Sequence, residues 1–219
     1  MESYKYIIID TETARGIDDA LCYDIGFAVI DKKSNVYEQH SYCVEEIFVD
    51  QPGMMKTAYY AEKIPLYWEE IRAGVRKILP FFLIRRIFRD CCRRWKVKAI
   101  IAHNMRFDYH ALKNTAEFLS EGYTNKFFPP NTAIWCTLTM ARSIMAKRPV
   151  YNLWCKKNAY TTKYGYPRFT AEILTRFIRC DSSFIEQHRG IDDVMCEKDI
   201  FAYLMRQHKK MQRTYWKEV

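Results

Sequence analysis

The feature that most constrains the fold is a short apolar run that ends in acids, YKYIIIDTET over residues 4–13. Its β-branched, almost continuously apolar residues predict a central strand buried on both faces. Carboxylates at the end of such a strand are costly unless a cation pairs with them. Because alternate residues of an extended chain point to the same side, Asp10 and Glu12 are expected to face one spot beyond the strand. The alternative is a turn acid followed by a helix-start acid.

A second stretch, IIAHNMRFDYHAL, has the same construction. The apolar strand predicted over residues 97–103 is followed by a polar cluster that contains Asn104 and Asp108. Asn and Asp are also frequent helix caps, and capping is the alternative reading for both residues. Two strands that are each followed by an acid, at what should be the same edge of a sheet, favour a shared site.

A third stretch, HRGIDD over residues 188–193, precedes a final helix predicted from about Asp192 to His208. At 100° per residue, Asp193 lies at the edge of the buried stripe, whereas Asp192 lies roughly opposite and should be solvated. Asp192 could then be an N-cap or first-turn acid that favours the helix dipole. Glu197, one turn after Asp193, also falls near the inward side. His188 lies in the loop before the helix.

Inward carboxylates would repel one another strongly without cations. Oxygen-only ligands suit hard divalent ions, so two Mg²⁺ or Mn²⁺ ions are the expected cofactors. Two such ions, about 3.5–4 Å apart, can clamp the attacking and leaving oxygens of a phosphoryl displacement. A nearby histidine can take the proton of the attacking water. The predicted chemistry is phosphodiester hydrolysis, with the predicted metal ligands Asp10, Glu12, Asp108 and Asp193, and His188 beside them.

Together these stretches resemble the DEDDh branch of the DnaQ-like 3′–5′ exonucleases, in the ribonuclease H-like superfamily. DTET looks like the first motif, HNMRFD like the second, and HRGIDD like the third, whose spacing pairs His188 with Asp193 and excludes Asp192. The similarity extends to YDIGFAVID, TLTMAR and NLWCKKNAY. The family often has Asp-Thr where this chain has Cys136 and Thr137, and that acid is outside the metal set.

The resemblance implies an α/β fold of the ribonuclease H-like type, with a central mixed five-stranded sheet flanked by helices. It also implies a metal-dependent 3′–5′ exonuclease that works from the 3′ end of nucleic acid, with single-stranded DNA as the leading substrate. One alternative is an exoribonuclease that acts on RNA or short oligoribonucleotides. Another is a non-catalytic nucleic-acid-binding module, which predicts lost ligands, and none is missing here.

Residue roles follow from the same resemblance. Asp10, Glu12 and Asp193 would hold the metal on the nucleophile side, and Asp10 would bridge to the second metal. Asp108 would bind that second metal through water, and His188 would be the general base. The implied substrate contacts are Thr11, Thr13, Asn104 and Phe107, with a plain core role for Phe107 as the alternative.

Composition supports an anionic partner. The 219-residue chain has a formal net charge of +9, which favours nucleic acid, and a polymerase or other replication or repair partner is left open. Eight scattered cysteines without a Cys-x-x-Cys pair are typical of reduced thiols, so we predict a cytoplasmic protein. The longest apolar run, residues 78–84, is too short to span a bilayer, and no membrane partner is expected.

The pattern predicts a single domain over residues 1–219, with an extended segment at about 147–187. That segment contains YTTKYGYPRF, whose aromatic and basic residues could stack bases and hold phosphates or could form a surface loop with buried tyrosines. Residues 66–95 are predicted to be helical with a break at Pro80. In the second half of that stretch Arg85, Arg89 and Arg93 form a basic face, either simply solvated or bound to a duplex.

Overall fold

The computed structural model describes residues 4–120 and 126–214. Six strands are present in that part of the chain: β1 Tyr6–Ala14, β2 Leu21–Ile30, β3 Val36–Val44, β4 Lys77–Leu79, β5 Ala99–Ala102 and β6 Ala133–Cys136. The helices are α1 Glu45–Phe48, α2 Pro52–Met55, α3 Ile64–Arg72, α4 Phe81–Arg94, α5 Arg106–Leu119, α6 Thr137–Met145, α7 Pro149–Lys157, α8 Ala171–Arg179 and α9 Gly190–Met205, with a 3₁₀ turn at Ala61–Lys63. Gly122, which the sequence suggests as a stop for α5, lies outside the described residues.

The strands form one mixed sheet in the order β4-β3-β2-β1-β5-β6. The two β1–β2 and β2–β3 pairs are antiparallel, whereas β1–β5, β5–β6 and β3–β4 are parallel. The predicted mixed α/β architecture is confirmed, and the sheet has six strands rather than five. The additional strand, β4, lies within the stretch predicted to be helical. Three residues are too few to show a strand period, so the pairing with β3 is a tertiary effect.

Strand β1 runs past the first acid. Asp10 pairs with Gly26 and Glu12 with Asp24 in the antiparallel β1–β2 ladder, so both acids are strand residues. The alternative of a turn acid followed by a helix-start acid is therefore wrong. Side chains alternate along β1, and Ile8 packs in the core beneath α9. The side chains of Asp10 and Glu12 are on the same side of the strand as Ile8.

Two apolar cores cover the two faces of the sheet. The first lies under α1 to α5 and takes the odd positions of β1 and β2, such as Ile9 and Phe27. The second lies under α6 to α9 and takes the even positions, such as Ile8 and Ile30. This division places Asp10 and Glu12 on the face of the sheet that carries α9.

Pro80 ends β4 and is the N-cap of α4, so the predicted break is confirmed. Helix α4 buries Ile84, Phe88 and Cys91, as its apolar stripe predicts. The basic face of α4 is not entirely solvated, because one of its arginines, Arg89, is hydrogen-bonded within the protein. Arg89 donates to the carbonyl oxygens of Phe127 at 3.0 Å and Phe128 at 3.2 Å. Arg89 therefore fixes the segment that precedes β6.

The segment at 147–187 contains α7 and α8, close to the predicted helices. Between them, Thr161 and Pro167 form an antiparallel bridge that closes a short hairpin. Tyr164 and Tyr166 in this hairpin are 73% and 70% exposed, so the reading of a loop with buried tyrosines is wrong for these two residues.

The eight cysteines are not paired in disulfides, and seven of them are buried. Across the described residues, no helix combines the length and apolarity that a membrane crossing requires.

Candidate functional site

Asp10, which is half-buried, and Glu12, which is buried, are the centre of a group of carboxylates. Burial raises the pKa of Glu12 to about 9, and the charges of Asp24 and Asp193 raise it further. Burial also raises the pKa of Asp10 well above its ordinary value, and among the neighbouring charges that of Asp108 raises it most. The same cause acts on Asp10 and Glu12. Carboxyl groups that are removed from water and surrounded by other carboxylates keep their protons unless cations are present.

Asp108 approaches from the helix after β5. Helix α5 begins at Arg106 with Met105 as its N-cap and has no side-chain cap, so the capping alternatives for Asn104 and Asp108 are wrong. The Oδ1 atom of Asp108 accepts hydrogen bonds from the Thr11 backbone N–H at 3.1 Å and the Thr11 hydroxyl at 3.0 Å. Burial raises the pKa of Asp108 to about 7, against the opposing effect of these hydrogen bonds.

The two adjacent aspartates of α9 have different environments, as the helical periodicity predicts. Asp193 is 3% exposed, and its Oδ2 accepts the Arg189 backbone N–H at 3.0 Å. Burial and then the charge of Glu186 raise its pKa to about 8. Asp192 lies in the first turn and pairs with Arg189 at 2.6 Å. The N-cap is Arg189 and not Asp192, because the helix begins two residues earlier than predicted.

Two glycines bring α9 onto the sheet. A Cβ atom on Gly26 would lie 2.3 Å from the carbonyl carbon of Gly190, and one on Gly190 would lie 3.2 Å from the carbonyl oxygen of Asp10. No side chain fits between these backbones, so the first turn of α9 lies directly over β1 and β2. A glycine inside a strand is a sign of close backbone approach, and Gly26 was the available signal in the sequence.

Asp24 anchors the start of α9 from below. Its carboxylate accepts the Gly190 backbone N–H at 3.0 Å and the Tyr67 hydroxyl at 2.8 Å, and it forms a buried ion pair with Arg76. Arg76 also binds Glu70 at 2.9 Å. The sequence did not reveal this network, because its members lie on β2, α3 and the loop before β4.

His188 lies close to the carboxylates of Glu12 and Asp193 and has a left-handed backbone conformation, with φ of 50°. Its ring stacks on Tyr60, with centroids 4.3 Å apart and planes 12° apart. Burial lowers the pKa of His188, and the charge of Lys63 lowers it further, so the imidazole is neutral near pH 7. One ligand atom each from Glu12, His188 and Asp193 lies within 4.8 Å of the others.

Glu197 also belongs to this region. It is 2% exposed, and its Oε2 accepts the His103 backbone N–H at 3.0 Å. Burial raises its pKa well above the ordinary value, and the charge of Asp108 raises it further. The helical wheel places Glu197 near the inward side, as observed, although no sequence motif includes it.

The predicted substrate contacts have varied surroundings. Thr11 is 4% exposed and its polar groups are directed at Asp108, whereas Thr13 is half-buried. Asn104 is exposed, with φ of 61°, and its carbonyl accepts the Phe107 N–H at 2.8 Å. Phe107 is half-buried and packs on the first core, consistent with the core alternative. Substrate contact by these four residues stays a prediction.

A second cluster of ligand-type side chains, Glu38, His40 and Cys91, lies between β3 and α4. Its polar atoms are hydrogen-bonded within the protein. His40 bonds both Tyr42 and Glu38 at 2.7 Å, and the Trp95 indole donates to Glu38 at 2.6 Å. These contacts explain the cluster as structural support for the first core.

The fold and the carboxylate group define the class: a mixed α/β protein with a six-stranded sheet flanked by helices and acids converging from β1, α5 and α9. No family model and no curated protein matches the sequence. Among solved structures, E. coli exonuclease I in complex with a dA16 oligonucleotide aligns with a TM-score of 0.59 and 18% identity, over 93% of this chain and 41% of that one.

Two further structures are similar. The zinc-bound form of the E. coli exonuclease I complex with single-stranded DNA aligns with a TM-score of 0.61 and 16% identity, over 94% of this chain and 41% of that one. Cell-death related nuclease 4 aligns with a TM-score of 0.50 and 10% identity, over 95% of this chain and 66% of that one. The chain thus spans about two fifths of exonuclease I. Similarity at these identities establishes the shared fold.

Proposed function

We propose that the chain is a metal-dependent 3′–5′ exonuclease that hydrolyses phosphodiester bonds at the 3′ end of nucleic acid, with single-stranded DNA as its preferred substrate. The observation that carries the proposal is the close group of Glu12, His188 and Asp193, whose ligand atoms lie within 4.8 Å of one another beside the half-buried Asp10. The E. coli exonuclease I structures with bound DNA support a nucleic-acid substrate.

The residues present fit divalent cations. Within the described part of the chain, Oδ1 of Asp193 is buried and receives no hydrogen bond. Lys63 lowers the pKa of Glu12, but burial and the neighbouring carboxylates outweigh it. A set of crowded carboxylate oxygens with raised pKa values requires positive charge to ionise, and hard ions such as Mg²⁺ or Mn²⁺ supply it. Asp10, Glu12, Asp108 and Asp193 would hold two such ions.

When bound, these ions would supply Lewis-acid stabilisation of the attacking and leaving oxygens. The protein side chains would supply the proton acceptor and hold the groups of the site in position. His188 has a lowered pKa that favours the neutral imidazole, and a neutral imidazole can accept a proton from the attacking water. Tyr60 holds that ring by stacking, and Thr11 directs the carboxylate of Asp108 through two hydrogen bonds. His188 is therefore the proposed general base.

The test is digestion of 5′-labelled single-stranded DNA by the purified protein with Mg²⁺ or Mn²⁺. The expected product is a ladder that shortens from the 3′ end, lost on chelation and in Asp10→Asn. Asp192→Asn is the matched control, because Asp192 is the same residue type, is next to Asp193 in the chain and pairs with Arg189. Undiminished activity in Asp10→Asn would contradict the metal assignment. A matched RNA strand distinguishes the exoribonuclease alternative, which requires faster digestion of RNA.

A further inference from the structure

The positive charge of the chain is concentrated in one stretch that contains no acids. Residues 122–171 include no Asp or Glu, although they are fifty consecutive residues of the chain. The same stretch contains eight Lys and Arg residues, against a formal net charge of +9 for the whole chain. A segment of this composition attracts polyanions and has no carboxylates of its own to repel them.

Within this stretch a short hairpin, residues 160–168, projects between α7 and α8. The Thr162 N–H donates to the Tyr166 carbonyl at 2.7 Å, and the Gly165 N–H donates to the Thr162 carbonyl at 2.9 Å. Gly165 has φ of 80°, a conformation that suits glycine and closes the turn. The hairpin is thus an ordered structure with its own hydrogen bonds.

The hairpin exposes aromatic rings beside cations. Tyr164 is 73% exposed and Tyr166 is 70% exposed. The Lys163 ammonium lies 5.0 Å from the centroid of the Tyr164 ring, and Lys163 and Arg168 are both exposed. Rings that can stack on unpaired bases, next to cations that can contact phosphates, are the elements of single-strand binding surfaces. A paired duplex does not offer its base faces to such rings.

One half-buried histidine, His103, links the hairpin to the carboxylate site. The ring of His103 forms a 2.8 Å hydrogen bond through Nε2 with the Phe169 carbonyl, directly after the hairpin. The backbone N–H of the same residue donates to Glu197, which lies among the site carboxylates. The Tyr151 hydroxyl donates to the Arg168 carbonyl and fixes the hairpin on α7. The hairpin therefore has a fixed position relative to the site.

We propose that the 160–168 hairpin binds the single-stranded part of a polynucleotide, upstream of the end held in the carboxylate site. This inference rests on the proposed function, since it names the strand that the site acts on. Tyr164 and Tyr166 stack on successive unpaired bases, and Lys163 and Arg168 contact the phosphates between them. Single-stranded DNA and RNA share these chemical features, and both are tested.

The first experiment measures binding without turnover. Fluorescence anisotropy of a labelled single strand of about twelve nucleotides, in EDTA, gives the Kd. The double variant Tyr164→Ala/Tyr166→Ala should raise Kd about tenfold or more for DNA, for RNA or for both. Tyr164→Phe/Tyr166→Phe keeps both rings and should bind like the unaltered protein. Equal binding by the Ala and Phe variants would overturn the proposal.

The second experiment separates local contact from net charge. Lys163→Ala/Arg168→Ala removes two charges from the hairpin, and Arg86→Ala/Arg93→Ala removes two exposed charges from α4. The hairpin variant should weaken binding several-fold more than the α4 variant at the same salt concentration. An equal loss would assign the effect to overall charge and overturn the proposal. Equal thermal unfolding midpoints confirm that the hairpin variants remain folded.

A third measurement distinguishes failure of this inference from failure of the proposed function. The Tyr164→Ala/Tyr166→Ala variant should hydrolyse the p-nitrophenyl ester of thymidine 5′-monophosphate normally, with a raised KM for the long strand. If the protein has no nuclease activity but its binding of single strands depends on the two tyrosines, the proposed function is wrong and the proposed role of the hairpin stands. If the variant has normal nuclease activity and an unchanged KM for the long strand, the proposed role of the hairpin is wrong and the proposed nuclease function stands.

Discussion

Gly26 of β2 and Gly190 of α9 touch through their backbones, with no space for a side chain on either residue. This contact sets the height of α9 above the sheet. Because Asp193 lies one turn after Gly190, the same contact carries its carboxylate to the acids of β1. The position of the Asp193 carboxylate thus depends on an absent side chain 167 residues away, counted from Gly26 to Asp193.

Gly26→Ala should displace α9 and disrupt the carboxylate group. The added methyl group would meet backbone atoms at 2.3 Å, which neither strand nor helix can relieve by a rotamer change. We expect a loss of about 1–3 kcal/mol in the free energy of unfolding, measured with urea, and a large loss of nuclease activity. Gly53→Ala is the matched control, since a Cβ atom there has no neighbour within 4 Å. Equal stability of the two variants would show that α9 is not held by this contact.

Asp193→Asn and Asp192→Asn should differ strongly in activity. Asp193 is buried beside Glu12 and His188, whereas Asp192 pairs with Arg189 at the rim. Loss of a metal-binding carboxylate should lower kcat/KM by about a hundredfold or more, whereas Asp192→Asn should stay within about threefold. Initial rates on a labelled single strand measure both values. If Asp192→Asn lowered kcat/KM more than Asp193→Asn, the proposed metal ligand would be Asp192 rather than Asp193.

Tyr60 should act as a positioning residue for His188. The two rings are stacked 4.3 Å apart, and His188 has a left-handed backbone conformation that needs support from its surroundings. Tyr60→Ala should lower kcat about tenfold with little change in KM, because the base is less well oriented while the strand still binds. Tyr60→Phe keeps the stack and should retain normal activity. A similar fall in both variants would point to the hydroxyl rather than to the stacking.

Without metal ions, the protein should become less stable as the pH rises. The folded-state pKa values of Glu12, about 9, and Asp193, about 8, exceed their ordinary values of 4.5 and 3.8. Between the ordinary and the raised pKa values, the folded chain binds more protons than the unfolded chain, so stability falls with pH. Below about pH 4 this contribution is fully present, and above about pH 9 it is lost.

Urea unfolding in EDTA between pH 5 and pH 9 measures this slope, at about 1.4 kcal/mol per pH unit for each such carboxyl. Glu12→Gln removes one titrating group and should flatten the curve. Mg²⁺ added at high pH should restore stability, because a bound cation replaces the lost protons. A flat curve for the unaltered protein would contradict the burial of these acids.

Much of the fold could be predicted because the patterns are local and strong. Five strands and the break at Pro80 follow from apolar runs and turn residues, and an α/β domain with a mixed sheet follows from the order of the elements. The inward position of Asp193 follows from helical geometry alone. The acids of β1 share one side of the sheet because side chains alternate along any strand.

Tertiary structure decided what local patterns do not encode. The edge strand β4 exists because β3 offers it a partner. The stack of Tyr60 on His188 and the support of α9 by Asp24 join residues that are distant along the chain. Such contacts depend on how helices and loops pack against the sheet, and a single sequence carries no period or spacing that reports them. The acids and the histidine of the site could therefore be predicted from the sequence, whereas the contacts that hold them in position are determined by the tertiary structure.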